Sequence, residues 1–184
     1  MRCCRERARV LWRTNLSVCR AGAIAGPLLA VAAVCVSCSG PPDPAKEAAK
    51  LAAQASKMMM AEEYAGAREK LLLASAKRPD CVEYHVGIAG CSVRLNELET
   101  AAEHYAVAEK ILAVQAEKEP DRVDDYLMVL VCQNKEKQAA EELAKARTRF
   151  ANDQNVQRMS EAFPEFVKSW STFRIETQRN RNKK

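Results

Sequence analysis

The sequence predicts an all-α protein built from antiparallel helix-turn-helix repeats. Small and apolar residues recur 34 positions apart, aromatic residues make up only 5% of the chain, and Pro79 and Pro120 interrupt the helical pattern. A period of this length is typical of helical solenoids, in which each unit buries its apolar face against its neighbours. The recurring pairs are Ala67 and Ala101, Leu71 and Tyr105, and Ala74 and Ala108.

The first segment, residues 1–37, is predicted to be an export signal. Six arginines against one glutamate give it a net charge of +5, and the apolar run 21–36 closes it. A basic stretch before a short apolar run is typical of a signal peptide. The run spans roughly 24 Å as a helix, less than the ~30 Å that a transmembrane helix must cross. The basic stretch is longer than usual, so the true start codon stays open.

The end of the apolar run resembles the lipobox of bacterial lipoproteins. Ser37 is the small residue before Cys38, although Cys35 stands where the family usually has leucine. The resemblance implies lipidation of Cys38 and a periplasm-facing protein, with Ser39 favouring the outer membrane over the inner. An ordinary signal peptide with an incidental Cys38 is the alternative. Residues 38–47 would be the anchor cysteine and a stiff, proline-rich tether.

The predicted helices begin and end at residues that cap or interrupt helices. Asp43 and Asp80 are candidate N-caps, and Pro79 and Pro120 end two helices. A seventh helix starts near residue 155, breaks at Pro164 and resumes to about residue 178, so that residues 154–184 form a capping helix and a basic tail. The six helices before it are expected at residues 45–60, 64–77, 81–94, 97–118, 122–133 and 136–150.

Residues 48–153 resemble about three tetratricopeptide repeats. That family places small residues on both helices of each unit, an aromatic residue on the second helix and a proline at the end. The positions that carry the resemblance are Ala55, Tyr64, Ala67, Leu71, Ala74 and Pro79, then Ile88, Ala89, Leu98, Ala101, Tyr105 and Ala108, then Ala139, Leu143 and Ala146. The family's tryptophan position holds Leu51, His85 and Val123 instead. A generic alanine-rich antiparallel bundle is the alternative.

The resemblance implies a concave groove lined by one face of the first helix of each unit. It is an apolar strip with charged edges, and flexible methionines suit adaptable contacts with peptides or helices. The Lys/Asn pattern that clamps a C-terminal carboxylate in this family is absent. The segment with Phe163, Phe166, Trp170 and Phe173 is expected to cap the last repeat rather than fill the groove. The implied groove residues are Met59, Met60, Val86, Val93, Arg94, Asp124, Met128 and Val131.

The residue pattern predicts neither an enzyme nor a cofactor. Cys81 and His85 lie four positions apart on one predicted helix, but two ligands are fewer than a zinc site uses. His85 and His104 are expected to be packing residues. Cys81, Cys91 and Cys132 are expected to be small buried thiols, and a Cys91–Cys132 disulfide is left open.

The sequence thus predicts a lipid-anchored helical-repeat protein that binds another protein in the bacterial cell envelope, as a scaffold or assembly factor. The alternative is a structural envelope lipoprotein that self-associates through the helix at residues 97–118. A thiol or metal protein is a third hypothesis. Nucleic acid is not an expected partner, because the chain is predicted to be exported.

Overall fold

The structure is a computed structural model that describes residues 43–181 of the chain. Within this range every regular element is helical, which confirms the predicted all-α class. Each helix packs against the next along the chain. The elements are α1 (Pro44–Met60), α2 (Tyr64–Lys77), α3 (Val82–Leu95), α4 (Leu98–Gln115), a 3-10 turn (Pro120–Arg122), α5 (Val123–Cys132), α6 (Glu136–Arg149) and α7 (Gln154–Arg181). The predicted signal peptide and Cys38 lie outside the described residues.

Several predicted bounds are confirmed and others need correction. Asp43 caps α1, because its Oδ1 accepts a hydrogen bond of 3.0 Å from the backbone N–H of Ala45. Asp80 does not cap α3: the helix begins one residue later, after Cys81, and the Asp80 carboxylate lies 3.8 Å from the Arg78 guanidinium instead. The predicted break at Pro164 is also wrong, since α7 is continuous through this residue.

The turns after α1, α3 and α5 share one geometry. Glu62, Asn96 and Asn134 have φ angles of 63°, 64° and 63°. A left-handed residue after a helix lets the next N–H donate to a carbonyl in the last helical turn, which satisfies acceptors that the helix leaves unpaired. The bonds are Glu63 to Met58 at 2.9 Å, Glu97 to Ser92 at 2.8 Å and Lys135 to Leu130 at 2.9 Å.

Alanine allows the helices to approach closely. Ala55, Ala67, Ala74, Ala89 and Ala108 have no accessible surface. A side chain of one carbon leaves little space between two helix backbones, so small residues set a short interhelical distance. The small residues picked out by the 34-residue spacing are therefore core positions.

The core has two parts that meet at α3. Leu71, Tyr84 and Ile88 belong to the first cluster, which joins α1, α2 and one face of α3. The second cluster takes the opposite face of α3, with Val82 and Ala89, and continues through α4, α5, α6 and the first half of α7. Because α3 is buried on two faces, it connects the N-terminal hairpin to the rest of the described chain.

Candidate functional site

The residues expected to line a groove lie at the end of α1 and along α3 and α5. Val86, Val93 and Arg94 are on α3, whereas Asp124 and Met128 are on α5. We call these five residues the α3–α5 surface. Val86, Val93 and Met128 are half-buried and pack against the second core cluster. At the end of α1, Met59 packs on the first cluster and Met60 is 74% exposed.

Val131 is a correction to the predicted groove. Its side chain has 0% exposure, as do those of its neighbours Val129 and Leu130. The cause is the position of α5, which packs against α4, α6, the 3-10 turn and α7. A short helix covered on several sides is apolar around most of its circumference, so Val131 belongs to the core and does not line an accessible surface.

The α3–α5 surface has an opening at Gly90. This residue is half-buried and shares the helix face of Val86 and Arg94, which lie four positions before and after it. A Cβ added to Gly90 meets no atom within 4 Å, whereas one added to Gly87 lies 2.8 Å from the Leu71 Cδ1 atom. The space beside α3 is therefore open at Gly90 and filled by Leu71 at Gly87, about one turn earlier.

Arg94, one of the two charged residues of this surface, contacts aromatic rings on two other helices. Its guanidinium carbon lies 5.8 Å from the centre of the Tyr64 ring, at the start of α2. It also lies 5.3 Å from the centre of the Phe173 ring on α7. Both distances are within the range of cation–π attraction. Arg94 thus joins three helices, and the C-terminal helix of the chain reaches a residue predicted to contact a partner.

Ionic contacts hold the N-terminal ends of α3 and α5 together. The Arg122 guanidinium donates to Glu83 at 2.9 Å and to Asp125 at 3.2 Å. Burial, followed by the neighbouring Asp124 carboxylate, raises the pKa of Asp125 to about 6 despite the arginine. Burial also raises the pKa of Asp124, whose Oδ1 accepts the Asp125 N–H at 2.9 Å. Asp124 therefore has a local structural role at the first turn of α5, in addition to its predicted place on the surface.

His85 and His104 form a pair that the sequence interpretation missed. Their Nδ1 atoms are 3.0 Å apart, and His85 Nε2 lies 3.0 Å from the carbonyl oxygen of Pro79. Because a carbonyl only accepts, His85 Nε2 carries a proton and donates it to the Pro79 oxygen. Burial, and then the electrostatic effect of the neighbouring His85, lower the pKa of His104. His85 lies 11 residues before Asn96 and His104 lies 8 residues after it, on two antiparallel helices, and this placement is the signal that the sequence offered.

The three described cysteines are free thiols, as the structure leaves Cys91 and Cys132 unbridged. Burial raises the pKa of Cys81 and of Cys91 to about 11, and that of Cys132 to about 12. Since the thiolate is the nucleophile, these pKa values keep all three thiols in the less reactive form near neutral pH. Cys91 is buried as expected, whereas Cys81 and Cys132 are half-buried.

A second apolar surface lies on α2 and α4. Leu73 on α2 is 53% exposed, and Val107 and Val114 on α4 are 37% and 58% exposed. Leu73 and Val107 are 34 positions apart, so they occupy equivalent places in consecutive helical hairpins. Val107 and Val114 are two helical turns apart on one face of α4. Val107 and Val114 belong to the helix that the self-association hypothesis uses.

Within residues 43–181, no three His, Cys, Asp or Glu side chains are grouped so that they could hold a metal ion. None of the helices in this range combines the length and the apolar character needed to cross a bilayer. Comparisons of the chain with protein-family models, with curated proteins and with solved structures find no match.

Proposed function

We propose that this protein is a membrane-anchored helical-repeat lipoprotein that binds another protein of the bacterial cell envelope, as a scaffold or assembly factor. In this proposal Cys38 carries the lipid, the helices form a tetratricopeptide-like array, and the partner binds along the α3–α5 surface. The recurrence of one turn geometry after α1, α3 and α5 supports the repeat arrangement. The mechanism is noncovalent, and the anchor raises the effective concentration near the membrane.

The observation that carries the proposal is the environment of Gly90 and Arg94. Open space at Gly90 is bordered by half-buried Val86 and Val93 and by an exposed arginine that contacts aromatic rings. Arginine and aromatic side chains beside an apolar patch are enriched at the energetic centres of protein interfaces. This combination favours a protein partner.

The second candidate function is structural self-association through α4. Val107 and Val114 support it, because they expose apolar area on one face of the longest helix of the repeats. Apolar side chains aligned on one face can pair with the same face of a second copy, as a twofold interface requires. This arrangement would leave the α3–α5 surface unused.

Site-specific photo-crosslinking in intact cells separates the two candidates. A photoreactive residue at Gly90 has room on the α3–α5 surface, and one at Val114 on α4 is the matched control. Crosslinks from Gly90 to a different envelope protein, without the same product from Val114, are expected. Crosslinks from Val114 to a second copy, with none from Gly90, would replace the scaffold proposal with the structural one.

A further inference from the structure

α7 is much longer than either helix of the hairpin that precedes it. It contains 28 residues, whereas α5 and α6 contain 10 and 14. At about 1.5 Å per residue it is roughly 42 Å long, twice the length of α6. Its first part buries Val156 and Phe163 in the second core cluster, as a helix that covers the end of a helical array would. Residues 165–176, which we call the distal segment, follow these two buried residues.

The distal segment carries an aromatic stripe on the side that faces the repeats. Phe166, Trp170 and Phe173 follow one another at helical spacings of four and three, so they share one face. Phe166 and Trp170 pack against the second core cluster, to which Val93 and Met128 also pack. The Trp170 and Phe173 rings are 5.4 Å apart between centres. The stripe is therefore a packed structure and not a chance run of exposed residues.

Two arginines fix the end of the distal segment. Phe173 lies under the guanidinium of Arg94, so the α3–α5 surface already contacts an aromatic ring. The next residue, Arg174, donates to the Asn134 side chain and lies 3.4 Å from the Glu136 carboxylate, at the turn between α5 and α6. The segment thus makes the contacts that a bound helix would make, and it makes them from within the same chain.

The polar contacts that hold the distal segment are weak. Arg94 is exposed, and the Arg174–Glu136 pair has side chains that are 34% and 31% exposed, so solvent weakens both attractions. The Trp170 Nε1 atom is buried and has no hydrogen-bond partner among the described residues. A buried donor without a partner favours release, because water would satisfy it. Pro164 removes one backbone hydrogen bond of α7 directly before the segment.

We propose that the distal segment is a built-in occupant of the α3–α5 surface, and that the partner is an amphipathic helix with the same aromatic spacing that binds by displacing it. This inference rests on the proposed function, whose partner class it names. The partner must supply an aromatic ring to Arg94, apolar side chains one turn apart, and a cation for Glu136. Binding of an amphipathic helix through such anchors is a recurrent mode of peptide recognition.

Displacement predicts that the intact protein binds a helical probe weakly. The probe is a fluorescent synthetic peptide of residues 161–176, and its binding to the full chain is measured by fluorescence anisotropy. The released variant, Trp170→Ala/Phe173→Ala, leaves the surface open, and Ile175→Ala, at an exposed position of the same helix, is the control. We expect at least about tenfold tighter binding to the released variant than to the wild type or the control, since occupancy of a site lowers its apparent affinity.

Arg94→Ala in the released variant is expected to abolish most of this gain, because it removes the residue that holds the aromatic ring. Equal affinities of wild type and released variant, with helix content unchanged by circular dichroism, would overturn the inference. If the double substitution prevents folding, Arg174→Glu replaces it, since a glutamate would face Glu136 and release the end of the segment. A tighter complex with that variant supports displacement, and an unchanged one overturns it.

The two proposals fail in different ways. Crosslinks from Gly90 to an envelope protein, together with equal peptide affinities, would overturn only the displacement inference. Absence of crosslinks from Gly90 in both the wild type and the released variant would overturn the proposed function, and the inference with it. A concentration-dependent dimer of the released variant in light scattering would identify a second copy as the occupant, and would contradict a different protein partner.

Discussion

Asp125 is a half-buried carboxylate whose ionisation opposes folding. Its pKa is raised to about 6 because burial and the neighbouring Asp124 carboxylate outweigh the attraction of Arg122. An aspartate in the unfolded chain titrates near ~3.9. Between these two values the folded state binds more protons than the unfolded state, so the contribution of this residue to stability decreases as pH rises.

Replacing Asp125 by asparagine should therefore stabilise the protein more at neutral pH than in acid. The amide still accepts from Arg122 but carries no charge. From about pH 4 to about pH 7, the free energy of unfolding of Asp125→Asn relative to wild type is expected to rise by roughly 2 kcal/mol. Urea unfolding at several pH values measures it, with Asp80→Asn, at an exposed carboxylate, as the control. A difference independent of pH would show that the pKa of Asp125 is the same in the folded and the unfolded state.

For single residues, burial can be predicted from the sequence more reliably than contacts between particular side chains. The alanines at 34-residue spacing are core residues because closely packed helices demand small side chains. The contact of Arg94 with Phe173 has no such signal, since α7 has no counterpart in the repeat. The 34-residue spacing predicts a place for Val131 in the groove, but α7 and α6 enclose α5 and bury this residue.

Among the elements, α3 contains two glycines whose surroundings differ, although they lie only one turn apart. Gly87 faces α2, where the Leu71 side chain is fully buried and lies within 2.8 Å of the place a Cβ would take. Gly90 faces open space. Both lie inside a helix, where alanine is favoured over glycine by about 1 kcal/mol. The packing around each glycine decides whether that gain is realised.

Gly90→Ala is expected to stabilise the protein by up to about 1 kcal/mol, because helix propensity acts without a clash. Gly87→Ala is expected to destabilise it by about 1 kcal/mol, because overpacking a core contact costs about 1–3 kcal/mol. Thermal and urea unfolding, followed by circular dichroism, compare the two variants directly. Equal stabilisation by both would mean that α2 and α3 are not in close contact at Gly87.

The bounds of the elements were predictable where one residue decides them. The helix Tyr64–Lys77 matches its prediction, because Pro79 cannot continue it. The predicted end of α4 is three residues too late, since the chain turns before Pro120 and forms a 3-10 turn there. At Pro164 the rule that a proline interrupts a helix fails. Phe163 and Phe166 pack against the core on either side of it, and this packing outweighs the hydrogen bond lost at the proline.

For the whole molecule, the proposed lipid anchor determines where the helical array operates. If Cys38 is lipidated, Cys38→Ser should move most of the protein from the membrane fraction to the soluble periplasm, because several acyl chains are needed for stable attachment. Cys35→Ser, three residues earlier, is the matched control and should stay with the membrane. Fractionation and mass spectrometry of the N-terminal peptide measure both. Membrane retention of Cys38→Ser without a lipid mass would contradict the lipobox interpretation.

The contact between Arg94 and Phe173 also sets an order of events during folding. It joins residues 79 positions apart, whereas the helical hairpins join residues that are close in the chain. Short loops close at lower entropic cost, so each hairpin can form before this contact does. Arg94 then has no contact with the Phe173 ring until residues 165–176 have docked. Under the displacement proposal, a folding chain therefore passes through a stage in which a partner helix meets no competitor at the α3–α5 surface.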